Sequence, residues 1–353
     1  MKLLRPSRIL LALALAAAPA LSQAPGPSPD AASSPGYSRA QQAFAARRYR
    51  EAAGLFAAVA TAESAHPPEQ RSDALLMQAK SLVNLNDFTA ADAALQRFLQ
   101  QDARSAQALY LLGYVLQREN KPRESLETFT RAAAIKPPLP NDLKLVALDY
   151  VLLDDYPDAI HWLDRSLEAD PRNEEAWYDL GRAHMHQGNF INAESSFRRA
   201  LALNPQDPKA LDNLGLSLEA QNRTDDALSA YKQAVEAQAG APRPGEQPFL
   251  DFGALLNTRN RASEAIEPLR RAVEIAPSSS RCREELARAY TATGQHTLAR
   301  QQMEQAVALD PRNPRLHYQL GQLYRHAGLA DRAQQELKRS SELYGTHSAS
   351  PEP

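Results

Sequence analysis

One cysteine, Cys282, stands in 353 residues, so no disulfide can form within the chain and no framework of bridges holds it. Aromatic residues make up only 7%, and clusters of the β-branched residues that strands need are missing. Runs of Ala, Leu, Gln, Glu and Arg take their place, which argues for an all-α protein. Charge of one sign is lacking too: 40 basic and 42 acidic residues leave a formal charge of −2. A nucleic-acid binder draws most of its affinity from neutralising phosphates and shows a basic excess; with none here, nucleic acid is not an expected partner. There is no phosphate-cradling glycine loop and no G-x-S-x-G elbow. His184 and His186 lie two apart on a helix, face different sides and cannot chelate one metal. No catalytic residue, cofactor or metal site is expected, and Cys282 reads as a small half-buried residue.

The sequence also lacks a membrane-spanning run. Ile9 to Ala18 are apolar, but this is shorter than the roughly 20 residues that cross a bilayer. Preceded by Lys2, Arg5 and Arg8 and followed by small residues, the run reads as a signal peptide over residues 1–22, cleaved after Ala20 or Ser22. Its removal takes three positive and no negative charges, moving the formal charge from −2 to −5. No cysteine lies near the cleavage region, so the chain is expected to be exported, periplasmic or secreted in the Gram-negative manner, and not a lipoprotein. Residues 23–36, rich in Pro, Ser and Gly, read as a flexible linker.

What is present is a period. Small residues recur at Ala79, Gly113, Ala147, Gly181, Gly215, Gly253, Ala287 and Gly321, every step being 34 except one of 38. Asn86, Asn120, Asp154, Gly188, Asn222, Asn260, Gly294 and Gly328 keep the same rhythm, and Pro137, Pro171, Pro205, Pro277 and Pro311 close several units. Eight of the 14 glycines fall in two phases of this repeat, where chance would put about one. Numbering each unit from its first residue, positions 4, 7, 8 and 11 form one stripe of a first helix. The small residue at position 8 admits a second helix closely. Position 15 tolerates the left-handed backbone that ends a helix, and proline at position 32 stops the second helix.

The segment WYDLGRAHMHQGNFINAESSFRRALALNP, residues 177–205, resembles the tetratricopeptide repeat signature W-x₂-L-G-x₂-Y, A-x₃-F, P. The resemblance covers about nine units, near 34–66, 72–105, 106–139, 140–173, 174–207, 208–241, 246–279, 280–313 and 314–347. It implies a right-handed superhelical solenoid of 34-residue helix-turn-helix repeats. The first unit looks degenerate, with a shortened turn between Phe44 and Tyr49. Pro268 falls inside a second helix and should bend it slightly. Residues 242–245 are an insertion between repeats one to six (37–241) and seven to nine (246–347), an obvious place for the stack to change path. The last helix, polar on its outer face, can cap the stack, and 348–353 reads as a disordered tail.

Repeats leave no room for an enzyme domain, so the chain reads as a non-enzymatic scaffold or adaptor that holds a peptide segment or partner protein. In the family resembled, first helices line a concave groove and positions 2, 5, 9 and 12 point into it. Helix geometry puts that stripe well away from the packing stripe. The partner-binding candidates are therefore Tyr110, Tyr114, Tyr178, Arg182, Arg288, Tyr318, Gln322 and Arg325. Tyr and Arg often anchor interfaces, and Arg pairs with carboxylates in a two-pronged fork. An acidic or C-terminal carboxylate segment is the expected occupant of the basic C-terminal end. Two other readings stay open: a structural assembly component, and an accessory subunit of a cell-envelope enzyme complex.

Overall fold

A computed structural model describes residues 34–62, 65–238 and 241–347. The expected signal peptide, most of the expected linker and the tail of 348–353 lie outside the described residues. Helices begin where the sequence supplies a cap. Ser105, Asn173, Asp207, Ser279 and Asn313 each accept a backbone N–H at the start of a first helix, and Asp87, Asp155 and Asn189 do so for second helices. Proline occupies the first turn of several, where its missing N–H costs nothing.

The described residues form eighteen helices in nine hairpins and no strand. The first compact unit, ending at Pro171, holds α1 (Pro35–Ala45), α2 (Tyr49–Thr61), α3 (Pro68–Asn84), α4 (Phe88–Gln101), α5 (Ala106–Arg118), α6 (Pro122–Ala133), α7 (Pro140–Leu152) and α8 (Tyr156–Ala169). The second, from Arg172, holds α9 (Glu174–His186), α10 (Phe190–Leu203), α11 (Pro208–Ala220), α12 (Thr224–Gln238) and α13 (Gln247–Thr258). It continues with α14 (Ala262–Ile275), α15 (Ser280–Ala292), α16 (His296–Leu309), α17 (Pro314–His326) and α18 (Ala330–His347). Within each unit a second helix packs on its own first helix and on the next one, and several successive first helices touch. Each unit is thus an all-α stack of repeats.

The periodic positions have the physical roles that the spacing implies. A Cβ added to Gly113, Gly181 or Gly215 would lie 2.9, 2.6 or 2.5 Å from the ring of Phe129, Phe197 or Tyr231, sixteen residues further on. Where position 24 is Leu95 or Leu163, position 8 is Ala79 or Ala147, all four buried. The turn residues have positive φ in every hairpin, from Asp154 at 56° to Gly294 at 76°.

Three expectations are corrected. The first hairpin's turn is not shortened: Arg47 takes φ 57° where the other hairpins use Asn, Asp or Gly, and the extra residues before the second hairpin lengthen α3 to 17 residues. The linker ends earlier than 36, because Ser34 caps a helix that opens at Pro35. Compactness divides the chain after Pro171, whereas the 242–245 insertion lies inside the second unit. Gln238 holds that insertion, its Oε1 accepting from the Gly245 N–H at 2.6 Å and its Nε2 donating to the Gly245 carbonyl at 3.3 Å. Pro268 sits inside a helix that runs on from Ala262 to Ile275.

Candidate partner-binding groove

In the first unit the two groove tyrosines are engaged within the fold. Tyr110 donates its hydroxyl to the Lys136 carbonyl at 2.7 Å and leans on Phe129 with ring centroids 6.1 Å apart. Burial, with the Asp142 charge, pushes its hydroxyl up to about 12. Tyr114 is half-buried and meets Phe88 edge to face at 6.3 Å. Tyr110 does border a cleft of about 380 Å³ with Lys136, Leu139 and Asp142.

The second unit holds the remaining candidates. Tyr178 packs on Phe197 at 5.9 Å, with the exposed Arg182 guanidinium 6.0 Å from its ring centroid. Burial is the main cause that raises its hydroxyl. Tyr318 is 51% exposed and Arg325 is exposed. Arg288 and Gln322 come together in one cleft of about 370 Å³, lined also by the buried Met303 and Leu323, by the half-buried Asn257 and Gln319, and by the exposed His326. The Asn257 Oδ1 and Gln319 Oε1 atoms are buried and have no hydrogen-bond partner among the described residues, a cost unless a donor arrives. A second cleft of about 540 Å³ adjoins Arg288 and includes Leu216, Glu219, Asp251, Ala254, Arg281 and Glu285.

The C-terminal arginines do not form a basic strip. Arg288 donates through Nη1 to both oxygens of Glu285, at 2.7 and 2.9 Å. Arg281 Nη2 stands 3.6 Å from Asp251 Oδ1, and Arg315 Nε donates to Glu284 Oε1 at 2.9 Å. Each carboxylate partner is buried: Asp251 is 6%, Glu284 6% and Glu285 7% exposed. The expectation of an acidic occupant rested on arginines at positions 2, 9 and 12; Arg281, Arg288 and Arg315 were read without those partners, while Arg325, at position 12, is exposed. Position 5, expected to face the groove, turns inward at Asp212, Leu250 and Glu284. Positions 2, 9 and 12 do line the clefts, through residues such as Arg281, Arg288, Gln322 and Thr291, and they are joined at position 6 by Asp251, Glu285 and Gln319 and at position 13 by Thr258, Ala292 and His326. Position 6 lies one residue, or 100° of helix rotation, beyond position 5, and counting the stripe on by one would have found it.

Among the described residues no group of three or more His, Cys, Asp or Glu side chains is placed to hold a metal. Cys282 is fully buried, more so than the sequence suggests, and burial raises its thiol. No helix of the described residues is long and apolar enough to cross a membrane.

Three families match the sequence: the middle TPR-like domain of cilia and flagella-associated protein 70 over residues 143–248, a tetratricopeptide repeat family over 76–140 and a TPR repeat family over 287–328. Among curated proteins, BBSome complex member BBS4 of Mus musculus is 28% identical over 151 residues, 42% of this chain and 29% of that protein. The protein O-mannosyl-transferase TMTC1 of Homo sapiens is 26% identical over 211 residues, 58% of this chain and 23% of that one. The matched stretch is thus under a third of the length of either relative. A tetratricopeptide repeat protein of Parabacteroides merdae has a solved structure that matches with a TM-score of 0.54 at 15% identity, covering 76% of this chain and 98% of that one. Register, stacked hairpins and sequence matches agree, and the chain is a member of the tetratricopeptide repeat family.

Proposed function

We propose that the chain is a non-enzymatic adaptor that holds a peptide segment of a partner protein on the first-helix face of its second unit. One observation carries the reading. The cleft beside Met303 and Leu323 pairs an apolar floor with two buried carboxamide oxygens that have no donor among the described residues. A peptide offers both an apolar side chain and main-chain N–H groups, which is what such a cleft leaves unfilled. The relatives support an interaction role only at the level of the family. TMTC1 is named as a transferase, but the match covers 23% of it, and in this chain repeats occupy almost all of the described residues.

We infer export from the first 22 residues: three basic residues, then the apolar run of Ile9 to Ala18, then small residues. The partner would then be an envelope or secreted protein. The experiment is affinity capture from crosslinked cell envelopes with residues 23–353 as bait, run beside Ala292→Phe/Gln322→Ala. Ala292 is exposed at the cleft rim, so a phenyl ring there fills the cleft without entering the core. A protein held by the parent and lost by the variant supports the reading, and equal retention overturns it. Mass spectrometry of the protein from the envelope fraction should show a new N-terminus after Ala20 or Ser22; an intact Met1 in the cytoplasm would remove the export reading.

A further inference from the structure

At the second unit's groove stand two carboxyl groups, one paired only loosely by an arginine and one, buried behind it, with no ion pair among the described residues. Asp212 on α11 is 4% exposed, and its Oδ1 has no hydrogen-bond partner among the described residues. Asp251 on α13 is 6% exposed and lines the larger cleft. Gln247 donates to its Oδ2 at 2.7 Å, but its Oδ1 has only Arg281 at 3.6 Å, a contact longer than a hydrogen bond. The helices that bear the two acids touch. Asp212 also senses its neighbour: burial, then the Asp251 charge, pushes its carboxyl up to about 8.

Asp212, Leu216 and Glu219 follow one another at helical spacing on α11, and the last two line the cleft. Across from them stand Ala254 and Leu255. An apolar wall leading to under-paired acids suits a side chain with an aliphatic stem and a charged head. We propose that this cleft takes a lysine or arginine side chain of the bound segment, its stem along Leu216 and Ala254 and its cation at Asp251, with the charge of the buried Asp212 behind it. This rests on the peptide-groove reading and reverses the charge expected of the occupant. A divalent metal fits less well, since calcium needs six to eight oxygen ligands and no group of three ligand side chains is assembled among the described residues. Arg281 does not already fill the role, because its side chain is 63% exposed and free to move aside for a better-placed cation.

The test uses the full chain and a degenerate library of acetylated, amidated nonapeptides, with the retained pool sequenced. The wild type should enrich Lys or Arg at one position at least five-fold, next to an apolar preference. Asp212→Asn/Asp251→Asn should keep the apolar preference and lose the basic one. An acidic preference, or a basic one unchanged in the variant, overturns the proposal and leaves the groove reading intact. A pool with no preference from either chain overturns both. A second measurement needs no variant: carboxyl-carbon NMR titration of the wild type with N-acetylarginine amide. Its binding to the ionised acids should lower the Asp212 midpoint by a pH unit or more, while the citrulline analogue leaves it in place. An equal response to both overturns the proposal.

Discussion

Gly215 and Tyr231 are in such close contact that a single methyl group would not fit between them. A Cβ on Gly215 would stand 2.5 Å from the ring, and Tyr231 is fully buried with its hydroxyl donated to Glu219 at 3.0 Å. Gly215→Ala should therefore destabilise by about 1–3 kcal/mol through overpacking. Gly54 makes the control: it lies inside α2 with nothing within 4 Å of an added Cβ. Gly54→Ala should stabilise by about 0.5–1 kcal/mol. Urea unfolding of both variants measures the pair, and equal signs would count against the packing account.

Asp149 should make the first unit sensitive to pH. It is fully buried, accepts from Gln117 Nε2 at 3.0 Å, and its Oδ2 lies 2.6 Å from Ser125 Oγ, which also reaches the Gly113 carbonyl at 2.8 Å. Burial lifts its carboxyl from 3.8 to about 7 against the opposing effect of Ser125 and Gln117. Between about pH 4 and 7 the folded chain keeps a proton that the unfolded chain has lost. Stability therefore falls as pH rises through that window, by up to about 1.4 kcal/mol per unit for this one proton. In Asp149→Asn the amide can donate to Ser125 Oγ while Ser125 donates to Gly113. That variant should lose the slope and be the more stable form at pH 8, as thermal unfolding across the pH range would show.

Arg288→Ala separates a structural arginine from a ligand-binding one. Glu285, its side chain 9% exposed, would lose two charged hydrogen bonds and, among the described residues, keep only Asn257 as a donor, at 3.2 Å. The cost should be about 1–3 kcal/mol with no partner present. Arg325→Ala, at an exposed arginine with no ion pair among the described residues, should leave the denaturation midpoint where it is.

Tyr110→Phe removes the hydroxyl that reaches the Lys136 carbonyl. A loss of about 0.5–1.5 kcal/mol is expected. No change in stability would release Tyr110 for a surface role.

The hairpins were legible because their defining positions answer to backbone and close packing. A glycine under a ring and an asparagine with φ near 60° are demands few residues can meet, so the sequence displays them. Arg47 went unread for the converse reason: arginine has no preference for a left-handed backbone, and only the structure shows one there. Groove charge was legible in kind but not in effect. Arg288 is visible in the sequence, while its cancellation by Glu285 depends on where two long side chains turn. Asp251 was missed because position 6 was left out of the stripe; Asp212 lies on the stripe at position 5 but was not singled out, and only the structure shows it buried.

The packing of each unit also bears on how the chain acquires its fold. Helices in extensive contact are neighbours, or next but one, in chain order. Few residues must find a distant partner, so the entropy spent on loop closure before contacts form is small. A hairpin such as α15 and α16 can close once α14 is in place, without waiting for the end of the chain. Folding within a unit can follow the order in which segments become available, and any completed stretch offers the next helix a ready surface.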